Sequence, residues 1–342
     1  MKKTYLLILV LLFARFVFGQ TPATDPHWIL DWHDEFNFFD TTIWIKGHHC
    51  DHYGEPQLYL KDNVWTANGN LVIRINNTPT QGDTTFNGQC GCFCESCTNT
   101  LHPNTSGWVE SKEAFTKQYG FIEARMKIPH RRGFWPAFWT YRKNGGFQTV
   151  GEIDIFEIYG CKIKRSLLET NIHSFYDQNY NDGQDSSTLY LVRHDLKNFD
   201  YTEWHTYAIE WDRNRIIWYV DRQPIRIMRN HGIIETVHLI LNLATQQRSG
   251  CRVRQYPPLV DYMYVDYVRT YSLRCDAETV VWDIPNFSTY DYKVKKSITL
   301  SGNTSIPEAG GVSLRATQYI ELRPGFEVPE EGTLFLDVCP CP

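Results

Sequence analysis

Beyond the first 20 residues, apolar and polar positions alternate in short runs of period two, separated by turn residues, and this pattern predicts strands. In residues 119–128, Ile122, Ala124, Met126 and Ile128 fall on one face and Phe121, Glu123, Arg125 and Lys127 on the other, with Pro129 ending the run. Leu71, Ile73 and Ile75 share a face after a turn at Asn68-Gly69-Asn70, which predicts a hairpin. Residues 205–225 predict another, with Tyr207, Ile209 and Trp211 on one arm, Ile216, Trp218 and Val220 on the other, and Asp212-Arg213-Asn214 turning between them. Residues 237–243 read as a strand buried on both faces, residues 170–175 as a short strand, and residues 262–271 as the last strand of a large domain. Residues 81–106 are polar, rich in Gly and Cys and without period, so they predict a loop. No stretch of the mature chain has a convincing helical period. Regular short strands with turn signals predict an all-β sandwich or jelly roll.

One strand carries chemistry. Gly151-Glu152-Ile153-Asp154-Ile155-Phe156-Glu157 places three carboxylates among β-branched and aromatic spacers. Period two puts Glu152 and Asp154 on one face, but it would turn Glu157 towards the core. One extra residue near Ile155-Phe156, a β-bulge, returns Glu157 to the acidic face. Glycoside hydrolysis needs such a pair, one carboxylate ionised and one kept protonated, and Asp154 between them can hydrogen-bond a neighbour and separate their pKa values. On these seven residues alone, a solvent-facing acidic strand over an Ile-rich core is an equal reading. Residues 133–139 place Trp135, Ala137 and Trp139 on one face and Phe134, Pro136 and Phe138 on the other. Two Trp flanking a small Ala make a platform for a sugar chain, or an ordinary piece of core.

Length and composition narrow the class. The 342 residues allow one large domain with a small appendage. A net charge of -5 without a basic block argues against a nucleic-acid partner. Residues 1–19 carry Lys2 and Lys3, an apolar run too short for a membrane span, and Val17-Phe18-Gly19, which fits signal-peptidase cleavage after Gly19. The expectation is a secreted protein, extracellular, periplasmic or at the cell surface. Ten cysteines then meet an oxidising setting. Cys90, Cys92, Cys94 and Cys97 have spacing that also suits zinc, with disulfides favoured by export. Cys50, Cys161, Cys251 and Cys275 are candidate long-range partners, and Cys339 and Cys341 are expected to staple the tail. From about Asp276 very short strands alternate with Gly and Pro turns, as in the small stacked-β tail that ends many secreted Bacteroidota proteins. The expected divisions are residues 1–19, 20–274 and 275–342, the last an independent β module.

Taken together, the segments resemble glycoside hydrolase family 16. They are Trp32-His33-Asp34-Glu35-Phe36, Asn70-Leu71-Val72-Ile73, residues 119–129, Trp135-Pro136-Ala137-Phe138-Trp139, the carboxylate strand, and residues 205–211, 239–243 and 265–271, in family order over about 240 residues. Glu-x-Asp-x-x-Glu matches the bulged branch that holds laminarinases and marine galactanases. The resemblance implies a concanavalin-like jelly roll with the carboxylates in an open cleft. Glu152 would be the nucleophile, Glu157 the acid/base and Asp154 the assisting residue of a retaining reaction, with the Glu carboxyls about 5–5.5 Å apart. His173 would lie near the cleft or be a structural histidine. Trp108 stands where laminarinase-like members carry Arg, and would offer a stacking surface instead. No cofactor is implied for catalysis; a structural calcium would use Glu35, the carbonyl of Gly69 and Asp266.

The leading expectation is an endo-β-glucanase of the laminarinase kind. A galactanase or transglycosylase on the same residues is the second, and a lectin-like β-glucan receptor the third. Such receptors typically lack the two glutamates present here.

Overall fold

The computed structural model describes residues 21–48, 55–82, 100–142, 151–160, 167–174, 190–246, 251, 253, 259–276, 278–282, 292–302, 304, 306, 311–330 and 332–341. The expected leader at residues 1–19, the Cys90 to Cys97 cluster, Cys50 and Cys161 lie outside these residues. Among the described residues, helix is confined to a 3-10 turn at Lys61–Asn63, and no helix is long and apolar enough to cross a membrane.

Two sheets enclose the core. The seven-stranded sheet is antiparallel and runs Val192–Asp195, Leu167–Ser174, Gly151–Glu157, Phe134–Tyr141, His238–Thr245, Trp108–Ser111, Trp44–Lys46. The ten-stranded sheet runs Gln223–Arg229, Arg215–Val220, His205–Trp211, Gly120–Lys127, Val260–Leu273, Asn70–Asn76, Asn104–Ser106, Gln57–Tyr59, with Trp28–Asp34 and Val64–Ala67 paired alongside. Ile122, Ala124, Met126, Ile209 and Trp218 from this sheet meet Phe134, Phe138, Ile153, Leu239 and Leu241 from the other in one cluster, so the jelly-roll sandwich is held by the inward set of the alternating pattern. Asn68 and Gly69 take φ of 52° and 69°, the left-handed pair that a two-residue hairpin turn requires.

Two expectations change. The stretch at residues 81–106 is not loop throughout: Thr80–Gln81 pairs with Leu101–His102, and Asn104–Ser106 joins the ten-stranded sheet. Phe121 and Glu123 do point outward, yet they are 0% and 6% exposed. Trp28, Ala208, Ile217 and Tyr219 close over Phe121, and Tyr267 donates its hydroxyl to Glu123 at 2.8 Å.

The C-terminal sheet stacks Thr279–Trp282, Lys295–Leu300, Gly311–Leu322 and Thr333–Val338 in parallel. Ile298, Leu300, Val312, Leu314 and Ala316 form its own small core. Its other face is not independent of the large domain. Arg315, 0% exposed, donates from Nε to Asp25 Oδ2 at 2.8 Å and from Nη1 to Asp337 Oδ2 at 2.7 Å, and reaches Glu210 at 3.4 Å. Arg215 grips Asp337 from the large domain at 2.9 and 2.6 Å. Cys275 pairs with Cys341 and Cys251 is disulfide-bonded. Cys339, expected to staple the tail, is instead a free buried thiol beside Arg315, with burial first pushing its pKa up to about 12.

Candidate active site

The carboxylate strand is bulged. Against Leu167–Ser174, Asp154 pairs with Asn171 but Glu157 pairs with Glu169, one residue more on the carboxylate side. Against Phe134–Tyr141, Asp154 pairs with Trp139 and Phe156 with Phe138, so Ile155 is the extra residue. Ile155 and Phe156 consequently both enter the core, 3% and 0% exposed. The parity of Glu157 is restored, and it shares a face with Glu152 and Asp154.

The three carboxyls differ in their partners. Asp154 is 2% exposed and accepts from His173 Nε2 at 3.2 Å. The same nitrogen lies 3.5 Å from Glu152 Oε1, because Glu152 and His173 are register partners on adjacent strands. Glu157 meets only neutral donors at Oε1, namely Trp135 Nε1 at 2.9 Å and the Tyr159 hydroxyl at 3.1 Å. The Trp135 and Tyr159 rings stack at 4.9 Å. Burial, then the charge of Asp154, lifts Glu157 to about 8, against the pull of His173 and the two donors. Glu152 is raised well above the ordinary carboxylate value, by burial first, with His173 opposing and the charges of Asp154 and Glu157 adding to the rise. Burial pulls His173 down, but Glu152 and Asp154 outweigh it and hold the imidazole at about 10. The cation therefore stands against Glu152 and Asp154 and opposes the effect of burial on Glu152. Glu157 has no cation within hydrogen-bonding distance among the described residues, so of the two glutamates it is the one whose charge lacks a counterion.

Glu152, Asp154 and His173 bring donor atoms within 4.8 Å of one another, a spacing a metal could use. A protonated His173 is a hydrogen-bond donor and not a ligand.

The expected calcium residues do not fit an ion. Glu35 takes both of its oxygens to Arg269, at 2.8 and 3.0 Å, and Asp266 accepts from Arg125 at 2.6 Å. Each carboxylate already has a guanidinium, while Gly69 serves the hairpin turn.

The aromatic expectations divide. Trp135 is half-buried beside Glu157. Trp139, on the same face, is 7% exposed and donates to Asn242 Oδ1 at 2.9 Å. Asn242 in turn donates from Nδ2 to the Tyr59 hydroxyl at 3.1 Å. Trp108 is 1% exposed, set edge-on to Tyr59 and Trp139, and bonded to Glu110 at 3.0 Å. Trp108 is therefore part of a buried floor with Tyr59 and Ile240 and offers no stacking surface, and Trp139 belongs to the same floor. Sequence reasoning missed Tyr159, although it lies two residues beyond Glu157 and parity places the two together. It could not find Trp218, which comes from the other sheet and donates to the Asp154 carbonyl at 2.8 Å.

The chain is 26% identical over 298 residues to a β-glucanase of Rhodothermus marinus, covering 79% of this chain and 94% of that one. It is 27% identical over 175 residues to the endo-1,3-1,4-β-glycanase ExsH of Rhizobium meliloti, covering 50% of this chain and 34% of that protein, about a third of its length. The catalytic domain of an endo-1,3-β-glucanase (laminarinase) from Thermotoga petrophila superposes with a TM-score of 0.59 at 26% identity, over 72% of this chain and 98% of that one. The profile of the glycosyl hydrolases family 16 matches residues 59–240, a span that contains the bulged strand and its three carboxyls, and the chain belongs to that family.

Proposed function

We propose that the chain is a secreted endo-β-glucanase acting on laminarin-type β-1,3- or mixed β-1,3-1,4-glucan by a retaining double displacement. The observation that carries the mechanism is the asymmetry of the carboxylate line, with an imidazolium against Glu152 and Asp154 and only neutral donors on Glu157. Ionised Glu152 attacks the anomeric carbon, and the bond to the leaving oxygen breaks. Glu157 gives that oxygen its proton. Trp135 and Tyr159 both bind Oε1, so the proton resides on Oε2. In the second half, Glu157, now ionised, takes a proton from water, and that water displaces Glu152 from the anomeric carbon. His173, held by Asp154, balances the charge of Glu152 throughout and stabilises it as a leaving group. Trp135 is the residue placed to touch the sugar ring beside Glu157.

The β-glucan assignment is supported by the Rhodothermus β-glucanase and the Thermotoga laminarinase. Secretion is supported by Lys2, Lys3 and the short apolar run that follows them. A panel of laminarin, mixed-linkage glucan, agarose and κ-carrageenan with analysis of the products tests the reading. Oligosaccharides released from the glucans with retained β configuration are expected. Inverted products overturn the mechanism, and release from the galactans alone overturns the substrate.

A further inference from the structure

A bulge that aims three carboxyls must itself be held. The extra residue at Ile155 breaks the ladder on both sides of the strand, since Asp154 and Glu157 lose step with one neighbour and Asp154 and Phe156 with the other. A ladder broken in this way leaves backbone groups that need other partners in a dry interior. The Asp154 carbonyl finds one in the opposite sheet. Trp218, 0% exposed on Arg215–Val220, donates from Nε1 to that oxygen at 2.8 Å. The indole is clamped in turn, with the Arg226 guanidinium over its ring at 4.5 Å. Arg226 donates to the Thr170 carbonyl and hydroxyl, both at 2.9 Å, and to the Tyr190 carbonyl at 2.6 Å. Thr170 belongs to the strand that carries His173. Trp218 and Arg226 therefore tie the two strands of the carboxyl cluster to the sheet behind them, at the residue that borders the bulge.

We propose that Trp218 is a positioning residue: its indole N–H, steadied by Arg226, fixes the bulge and through it the spacing of Asp154 and Glu157. This rests on the glycosidase reading above. A looser bulge moves Glu157 relative to both the leaving oxygen and the charge of Asp154. The first displacement lowers turnover, and the second lowers the pKa of Glu157.

The test is W218F, which keeps an aromatic ring and removes the donor, measured on the polysaccharide the wild-type chain cleaves best. The folded fraction is set by near-ultraviolet circular dichroism. We expect kcat about tenfold to a hundredfold lower per folded molecule, with KM little changed, and the alkaline limb of kcat/KM moved to lower pH. A purely structural role would reduce the folded fraction and leave both the limb and the kcat of the survivors untouched, and that result overturns the proposal. Should W218F not fold, R226Q decides, since Arg226 is only partly buried at the edge of its sheet. The same two shifts in smaller degree are expected, and an unchanged kcat and limb overturns the proposal. A wild-type chain that cleaves no glycoside sinks the functional reading and this inference together, whereas an active wild type equalled by W218F sinks this inference alone.

Discussion

Trp135 donates its indole N–H to Oε1 of Glu157 at 2.9 Å, and Tyr159 donates to the same oxygen at 3.1 Å. Both bonds favour the ionised carboxylate and so restrain a pKa that burial drives up to about 8. A general acid works while protonated, so kcat/KM is expected to fall as pH rises through about 8. Tyr159→Phe removes one restraint, and the alkaline limb should move to higher pH. A limb that stays in place or moves down in Y159F contradicts the assignment of Glu157 as the acid.

Glu152→Gln and Glu157→Gln should each fold normally and lose most turnover on unactivated polysaccharide. On an activated aryl glycoside, azide should rescue E157Q with retained configuration, because leaving-group protonation is no longer needed there. Wild-type turnover by E157Q on polysaccharide would remove Glu157 from the mechanism.

The two tryptophans of one strand face should behave differently. Trp139→Ala opens a cavity in the floor and is expected to lower stability by about 3–5 kcal/mol. Trp135→Ala, at a half-buried ring, should cost less stability and raise KM. Denaturation midpoints read beside kinetics check both, and equal stability losses at the two positions would contradict the burial described here.

Arg315 is wholly buried between Asp25, Glu210 and Asp337. Arg315→Met removes the cation that all three share and leaves only Arg215 on Asp337 and Glu210, a loss on the order of 3–5 kcal/mol that should lower the thermal midpoint by about 10 °C. A chain ended after Leu273 exposes the same face and should be less stable still. An unchanged midpoint in R315M would return the tail to the status of an independent module.

Glu35 and Asp266 are held by Arg269 and Arg125. Chelation with EDTA is therefore expected to leave the thermal midpoint where it was. A midpoint that falls on chelation and recovers with calcium would show that an ion displaces those arginines.

The sequence alone determined the inward and outward sets of the strands, because period two is a local property of extended backbone. It also determined the bulge, since two isoleucines, a phenylalanine and three carboxylates satisfy both faces only with one extra residue. Gly151–Glu157 was thus legible as chemistry before any fold was known. What covers an outward face was not legible, and Phe121 and Glu123 became buried only because distant segments close over them. The same holds for Trp108 and Trp139, whose period matches a sugar platform and whose contacts with Tyr59 and Asn242 make them a floor. Charge pairing was equally hidden. Glu35 and Arg269 are 234 residues apart in sequence, and Asp25 and Arg315 are 290 apart. Nothing local in a chain marks which carboxylate will meet a guanidinium and which will remain to attack a sugar; only the packing of one sheet on the other decides that, by choosing which charges lose water together.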